Sequence, residues 1–214
     1  QQQRSRATVD AIVEAGFQCL ATRGLEGTTT RHIAERAGIS VGTLYEYFKN
    51  KQDIYEVMFQ RTIKDVVAMI EPLTARLVTM DIRDGVRLLL EEFRELLMRN
   101  DARYLKFASQ ASQTLQHYDL ESINEFDPVN KILSDVALQY LMHHPQLMRM
   151  QNIPVTSYIV INGVMSTSLR HLSEKNPAMT FEQICDGLAD MVSHVVDGEL
   201  RKADMAEQQK GDQA

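Results

Sequence analysis

The chain has 214 residues, of which 44% are hydrophobic and 24% are charged, and this composition excludes disordered, collagen-like and disulfide-stabilised miniature proteins. Its 23 basic and 29 acidic residues give a net charge of −6, which taken alone disfavours a nucleic-acid partner. The two cysteines, Cys19 and Cys185, are far apart and have no metal-binding spacing, so neither a zinc site nor a disulfide framework is expected.

Apolar residues recur at helical spacing along almost the whole chain, and no segment alternates with period two, which predicts an all-α fold of about nine helices. The first helix is expected over residues 6–23, because Gly24 suits the left-handed position that follows a helix. A longer helix is expected over residues 51–70, with Asn50 as its N-cap.

Two short helices are expected between these long ones. The threonines at positions 28–30 offer capping hydroxyls to a helix over residues 31–37, and Ser40 offers the same to a helix over residues 41–48. Gly38 lies between them and permits a tight turn. Two short helices joined by a glycine turn form the helix-turn-helix arrangement that many DNA-binding proteins use.

The remainder of the chain is expected to form a helical bundle. Five amphipathic segments are separated by proline or capping residues and cover residues 82–99, 102–118, 128–144, 155–173 and 181–201. We therefore expect four regions: a helix-turn-helix domain at 1–50, a connecting helix at 51–70, a helical bundle at 71–201 and a polar tail at 202–214.

Residues 28–51, TTTRHIAERAGISVGTLYEYFKNK, carry a resemblance to a known family. The threonine run, the turn through Gly38 and Ser40, and the leucine, tyrosine and phenylalanine that follow make residues 6–53 similar to the DNA-binding region of the TetR family of bacterial regulators. The resemblance implies a three-helix DNA-binding domain followed by a bundle for ligand binding and dimerisation. It also implies a transcriptional regulator, most often a repressor, that acts on a double-stranded DNA operator.

Candidate DNA-binding residues follow from this reading. Hydroxyls, a helix N-terminus and a lysine suit the phosphate backbone, and the candidates are Thr29, Thr30, Ser40, Tyr45, Tyr47 and Lys51. Small or methyl-bearing residues at the start of the second short helix suit base edges, and the candidates are Val41, Gly42 and Thr43. The alternative is that the threonines only cap a helix, that Tyr45 packs in the core, and that Lys51 is a solvated surface residue.

The bundle offers candidates for a ligand pocket and for a dimer interface. Aromatic and methionine side chains that suit an adaptable apolar pocket are Phe93, Tyr104, Phe107, Tyr140, Tyr158 and Met165, although such residues more often form plain core. By resemblance, the last two helices pair with those of a second copy, through Ile159, Gly163, Ser166, Arg170, Ile184, Leu188, Met191 and Val195. The alternative is that both apolar stripes belong to the core of one subunit.

No catalytic, metal or nucleotide-binding motif is present, so no enzyme activity, metal or cofactor is expected. No apolar run is long enough for a membrane span, and the polar N-terminal segment lacks the apolar core of a signal peptide, so a cytoplasmic protein with no membrane partner is expected. The expected function is a homodimeric repressor released by a small apolar effector. The alternatives are an activator of the same fold, or an all-α carrier or enzyme that has kept a helix-turn-helix-like element.

The charge distribution removes the objection that the net charge raises. Residues 1–64 hold nine Lys or Arg and seven Asp or Glu, so the region that is expected to meet DNA has a charge of +2. Residues 65–214 hold 14 basic and 22 acidic residues, so they have a charge of −8. The acidity therefore lies in the bundle.

Overall fold

A computed structural model describes residues 2–114 and 127–211 of the chain. Every regular element in these two ranges is helical, which confirms the predicted all-α fold. The α-helices are α1 (Gln2–Gly27), α2 (Thr30–Ala37), α3 (Val41–Tyr47), α4 (Lys51–Ile70), α5 (Thr74–Leu77), α6 (Ile82–Thr114), α7 (Asp127–His143), α8 (Ile153–Ser173) and α9 (Phe181–Gly211), with short 3-10 turns at Glu71–Leu73 and Pro145–Arg149.

The described residues form two compact units. Unit 1 holds the residues up to Val66 and those from Glu95 to the end of α6, and unit 2 holds Val67–Arg94 and the residues from Asp127 onward. The amino-terminal helices α1, α2 and α3 therefore share unit 1 with the second half of α6, while α7, α8 and α9 belong to unit 2.

Side-chain caps begin the helices where the sequence predicts them. The Thr29 hydroxyl accepts a hydrogen bond from the backbone N–H of His32, and the Ser40 hydroxyl accepts one from Thr43. At α9, Thr180 and Gln183 form a reciprocal capping box, since the side chain of each accepts from the backbone N–H of the other. Each cap satisfies backbone donors that the first helical turn leaves without a partner.

Two glycines with positive φ end helical segments in unit 1. Gly24 has a φ of 71° and interrupts α1 at the predicted position, although helical backbone resumes and runs to Gly27. Gly38 also has a φ of 71°, and its backbone N–H bonds to Glu35 O at 3.2 Å, while Ile39 N bonds to Ala34 O at 3.0 Å. The left-handed conformation at Gly38 closes α2 and turns the chain toward α3.

Helix α6 contains a break. Residues 99–102 have non-helical backbone angles, with positive φ at Asn100, Asp101 and Ala102. Two helical segments, 82–99 and 102–118, were expected at this place, so the interruption agrees with the sequence; residues 115–118 of the second segment lie outside the described residues. Three successive non-glycine residues in the left-handed region cost conformational energy, which the packing on either side must offset.

Helix α9 extends ten residues beyond its predicted end at Arg201 and finishes at Gly211. Its last turns are held from outside the helix, because Ala203 is buried and the Arg149 guanidinium bonds to the carboxylates of Asp204 and Glu207. A polar tail was expected from residue 202 onward, because the amphipathic pattern ends at Arg201 and does not reveal these long-range ion pairs.

Lys51, at the start of α4, is tied to the end of α1 and to the loop that follows it. Its Nζ donates to Leu25 O at 3.1 Å and to Thr28 O at 3.0 Å, and it lies 5.5 Å from the centre of the Tyr55 ring. The Tyr55 hydroxyl donates to the same Leu25 oxygen at 3.1 Å. These bonds satisfy carbonyls at a bend of the chain, where helical partners are absent.

Replacing Gly38 tests the left-handed turn. An added Cβ at Gly38 meets nothing within 4 Å, so Gly38→Ala changes only the backbone preference, and we expect a loss of about 1–2 kcal/mol in the free energy of unfolding measured in urea. Gly27→Ala is the matched control, because Gly27 ends a helix without positive φ and we expect it to be neutral or stabilising. Equal effects at the two glycines would contradict this account.

Replacing Lys51 tests its structural bonds. Lys51→Met keeps the apolar stem and removes the donor from the Leu25 and Thr28 carbonyls, so we expect the free energy of unfolding to fall by about 1–3 kcal/mol. Lys49→Met is the control, because Lys49 is exposed and its expected effect is within about 0.5 kcal/mol. An unchanged urea midpoint for Lys51→Met would show that these bonds do not stabilise the fold.

Candidate nucleic-acid interface and candidate effector cavity

Helices α2 and α3 form the expected helix-turn-helix pair. Their inner faces are anchored by Ile33 and Leu44, both fully buried, and by Phe48, which follows α3. Gly38 and Ser40 define the connection, the first as the left-handed end of α2 and the second as the N-cap of α3. Because these anchors use one face of each short helix, the other face of α3 is free to meet a ligand.

The outer face of α3 carries the residues predicted to approach base edges. Val41 is 37% exposed, Gly42 is exposed, and Thr43 is half-buried. A Cβ added at Gly42 meets only the Ser40 hydroxyl oxygen, at an ordinary contact distance of 3.6 Å. The packing of the described residues therefore does not require a glycine at position 42. A glycine would be required if a binding partner, such as DNA, lay directly against the backbone of α3.

Hydroxyl groups surround this face. Tyr45 is 51% exposed, and its hydroxyl lies 3.2 Å from that of Thr30, which joins α3 to the first turn of α2. The Ser40 and Thr43 hydroxyls lie 2.9 Å apart. Tyr45 was weighed as a partial core residue, and its exposure instead leaves the phenol available at the surface.

The remaining candidates for phosphate contacts differ in their exposure and in the hydrogen bonds that they already make. Thr29 is exposed and caps α2, and Tyr47 is half-buried at the end of α3. Lys51 is held by its two carbonyl bonds, so it is not a free surface lysine, and its ammonium group carries a third N–H beyond these bonds. Lys49 is an exposed cation next to α3 that the sequence analysis did not select, because a single surface lysine gives no pattern.

Unit 2 contains an apolar cavity of about 190 Å³. It is lined by residues of α5, α6, α7, α8 and α9 and of the 3-10 turn before α8. Tyr140 and Met165, two of the predicted pocket residues, are part of this lining. This cavity gives unit 2 room for a small molecule.

The other predicted pocket residues are not part of the lining of this cavity. Tyr104 and Phe107 are buried in unit 1, where their rings pack edge-on against Phe17 at centroid distances of 5.3 and 5.6 Å. Phe93 is buried outside the cavity lining, and Tyr158 is 69% exposed on α8. Helical periodicity identified these side chains as apolar-facing without indicating which neighbours they face.

Tyr104 belongs to a polar network inside unit 1. Its hydroxyl donates to the Asp65 carboxylate, and Arg103 donates to the Tyr104 oxygen at 3.1 Å and to Glu14 at 2.6 Å. Burial, followed by the hydrogen bond to Asp65, raises the pKa of Tyr104. These bonds join the second half of α6 to α1 and α4 within unit 1.

One face of α8 and part of α9 expose apolar and small residues. Ile159 is 63% exposed, Met191 is 42% exposed, and Gly163, Ser166 and Arg170 are exposed beside them. An added Cβ at Gly163 meets nothing within 4 Å. This face, which we call the α8/α9 face, has no covering element among the described residues.

One of the predicted interface residues, Leu188, is instead a core residue of unit 2, and this part of the prediction is corrected. Leu188 is buried in a cluster with Leu90, Val164, Cys185 and Val192, and Ile184 packs against that cluster. Val195 is half-buried. The apolar stripe of α9 is therefore divided between the interior of the unit and its surface.

Both cysteines are buried. Cys185 is buried, and burial raises the pKa of its thiol to about 11, so the group is protonated at neutral pH. Burial also raises the pKa of Cys19, whose thiol lies 3.4 Å from His32 O.

The described ranges contain no cluster of three His, Cys, Asp or Glu suited to a metal ion. Within them no helix is both long and apolar enough to cross a bilayer.

Residues 12–58 match the family model described as bacterial regulatory proteins, tetR family. The chain is 39% identical over 56 residues to the uncharacterised HTH-type transcriptional regulator YvkB of Bacillus subtilis. This match covers 26% of this chain and 30% of YvkB. The chain thus spans less than a third of that relative. A longer match, 22% identical over 184 residues, covers 85% of this chain and 89% of the HTH-type transcriptional repressor AcnR of Corynebacterium diphtheriae.

Solved structures share the fold. A TetR-family transcriptional regulator from Mesorhizobium loti has a TM-score of 0.69 at 16% identity, with 90% of this chain and 96% of that chain covered. The fatty acid degradation regulator FadR from Bacillus halodurans has a TM-score of 0.68 at 16% identity, with 86% and 93% covered. The helix-turn-helix geometry and the family match agree on the same segment: residues 12–58 match the tetR family of bacterial regulatory proteins, and the solved structures share the fold of most of the chain.

Proposed function

We propose that this protein is a transcriptional regulator that binds a pseudo-palindromic DNA operator as a homodimer and releases it when a small apolar effector binds. The observation that carries the proposal is the capped, well-anchored pair α2 and α3, whose outer face presents an open glycine and a set of hydroxyls. Proteins that read the major groove insert a short helix of this kind, with residues near its N-terminus at the base edges.

Phosphate contacts are assigned to the residues that frame α3. Thr29 and Thr30 lie at the N-terminus of α2, where backbone N–H groups and the helix dipole favour an anion. Ser40, Tyr45 and Tyr47 offer hydroxyl groups, and Lys51 offers its charge. Contacts of this kind fix the position of the protein on the duplex without reading its sequence.

Base contacts are assigned to the first turn of α3. The methyl groups of Val41 and Thr43 suit the methyl group of thymine, which projects into the major groove. Gly42 between them lets the helix backbone approach the bases closely, because it has no side chain of its own. The charge of +2 on residues 1–64, against −8 for the remainder, favours this end of the chain for DNA.

Dimerisation is assigned to the α8/α9 face. Ile159 and Met191 are large apolar side chains on an uncovered surface, and Gly163 beside them leaves room for the close approach of another helix. A homodimer carries two α3 helices, and successive major grooves lie about 34–36 Å apart on one side of the duplex. A two-fold operator suits this symmetry.

Effector control is assigned to the cavity of unit 2. An effector that binds the DNA-free state more tightly, by about 1–3 kcal/mol, lowers operator affinity by roughly one to two decades. Repression rather than activation is supported by AcnR, a relative named as a repressor that matches over most of this chain.

Binding to the DNA upstream of the gene that encodes this chain tests the proposal. We expect the affinity to fall steeply as salt rises, since phosphate contacts release counterions. Binding that is weak and independent of salt, at every fragment of that region, would contradict the regulatory function. Fluorescence anisotropy at two salt concentrations measures this directly.

Substitutions at Gly42 test the close approach of α3 to DNA. Because a Cβ here meets only the Ser40 oxygen at 3.6 Å, Gly42→Ala and Gly42→Leu are expected to leave the urea midpoint unchanged or raised. We expect operator affinity to fall about tenfold or less for alanine and more than a hundredfold for leucine, because the larger side chain meets the groove first. Equal operator affinity for the parent protein, Gly42→Ala and Gly42→Leu would contradict the proposal that α3 lies in the major groove.

A charge on the α8/α9 face tests dimerisation. Ile159→Arg places an unpaired cation in the proposed interface, so we expect sedimentation to show a monomer and operator affinity to fall at least tenfold. Met142→Arg is the control, since Met142 is 69% exposed on α7 and outside this face. A dimer that persists in Ile159→Arg, with Met142→Arg monomeric, would move the interface to α7.

A further inference from the structure

The lining of the cavity in unit 2 is apolar except for three hydroxyl-bearing side chains. No lysine, arginine, histidine, aspartate or glutamate is among the described residues that line it. The three polar residues are Tyr140 on α7 and the adjacent Thr156 and Ser157 on α8. The remaining walls are built from aliphatic residues with two methionines, such as Leu89, Val136 and Met165.

An ionised ligand group inside this lining has no partner of opposite charge. Transfer of an unpaired carboxylate or ammonium from water into apolar surroundings is strongly unfavourable, whereas a hydroxyl or carbonyl needs only one hydrogen bond. Burial, followed by the field of the Asp81 carboxylate, raises the pKa of Tyr140, and that field further disfavours an anion at this wall. The lining therefore selects an uncharged molecule.

The polar groups of the cavity are of two kinds. The Tyr140 hydroxyl donates its hydrogen to Met80 O at 3.3 Å, and its ring is stacked on His144 at 4.1 Å between centroids, so its oxygen is left to accept. Thr156 and Ser157 each carry a hydroxyl that can donate or accept. A ligand with one hydroxyl or carbonyl group can therefore form a hydrogen bond with one of these three hydroxyls.

The volume of the cavity sets the scale of the ligand that it encloses. An engineered protein cavity of about 150 Å³ holds benzene, which has six non-hydrogen atoms. By proportion, a cavity of about 190 Å³ holds a molecule of about eight non-hydrogen atoms.

We propose that this cavity binds an uncharged, mostly hydrocarbon molecule of about eight non-hydrogen atoms that carries a single hydroxyl or carbonyl group and meets Thr156, Ser157 and Tyr140. The inference rests on the proposed function in taking this cavity as the effector site. It adds the charge, the size and the polar group of the effector, together with the residues that select them.

A matched series of probes tests the charge selectivity on the full chain without DNA. Heptan-1-ol and heptylammonium have the same number of non-hydrogen atoms, and heptanoate carries the opposite charge. We expect isothermal titration calorimetry to show heptan-1-ol binding at least tenfold more tightly than either ion. No binding of heptan-1-ol at millimolar concentration, or equal binding of the three probes, would overturn the proposal.

Two sets of variants locate the binding. Ala137→Phe fills the cavity and is expected to weaken heptan-1-ol binding at least tenfold, whereas Leu138→Phe, at a neighbouring exposed position outside the lining, leaves it unchanged. Thr156→Val together with Ser157→Ala removes two hydroxyls at nearly constant volume. This double variant is expected to bind heptan-1-ol at least threefold more weakly and toluene no more weakly than the parent.

The outcomes separate this inference from the proposed function. If Ala137→Phe does not fold, the probe series and the hydroxyl variant decide the question. Unchanged heptan-1-ol affinity in a folded Ala137→Phe protein overturns the site, and equal losses for heptan-1-ol and toluene in the hydroxyl variant overturn the polar contact. A chain that binds its operator but not heptan-1-ol loses only this inference, and a chain that binds heptan-1-ol but no DNA loses only the regulatory function.

Discussion

Two helices of eight and seven residues, α2 and α3, carry the proposed contact with DNA, and neither is long enough to persist alone in water. Their stability comes from N-caps at Thr29 and Ser40 and from the burial of Ile33 and Leu44. Caps and anchors use the ends and the inner faces of these helices. The fold therefore does not depend on the exposed side chains of α3. These side chains can be substituted to suit a particular DNA sequence without loss of the two helices.

Local features of the fold were predictable from the sequence because their physics is local. A threonine or serine before a helix, a glycine after one, and a polar interruption such as residues 99–102 act within a few residues of chain, and the structure has each of them in place. Helix type, helix order and the helix-turn-helix pair follow from such signals.

The partners of each helix face were less predictable because periodicity identifies an apolar side without naming its neighbour. Leu188 and Met191 lie on one predicted stripe, yet Leu188 is in the core of unit 2 and Met191 is at its surface. Tyr104 and Tyr158 were predicted to line the same pocket, but one is buried in unit 1 and the other is exposed. Tyr140 and Met165 do line the cavity of unit 2, and their role in effector binding stays a prediction.

The bonds of Lys51 to Leu25 O and Thr28 O change what this residue can offer to an anion. A lysine on an open surface loses up to about 2 kcal/mol of rotamer entropy when a contact orders it. Here folding has already ordered the side chain, so a phosphate that meets the third N–H finds a cation of fixed direction. In the proposed interface, the position of this cation therefore depends on the integrity of the turn after α1, and a loosened turn is expected to weaken DNA binding before the protein unfolds.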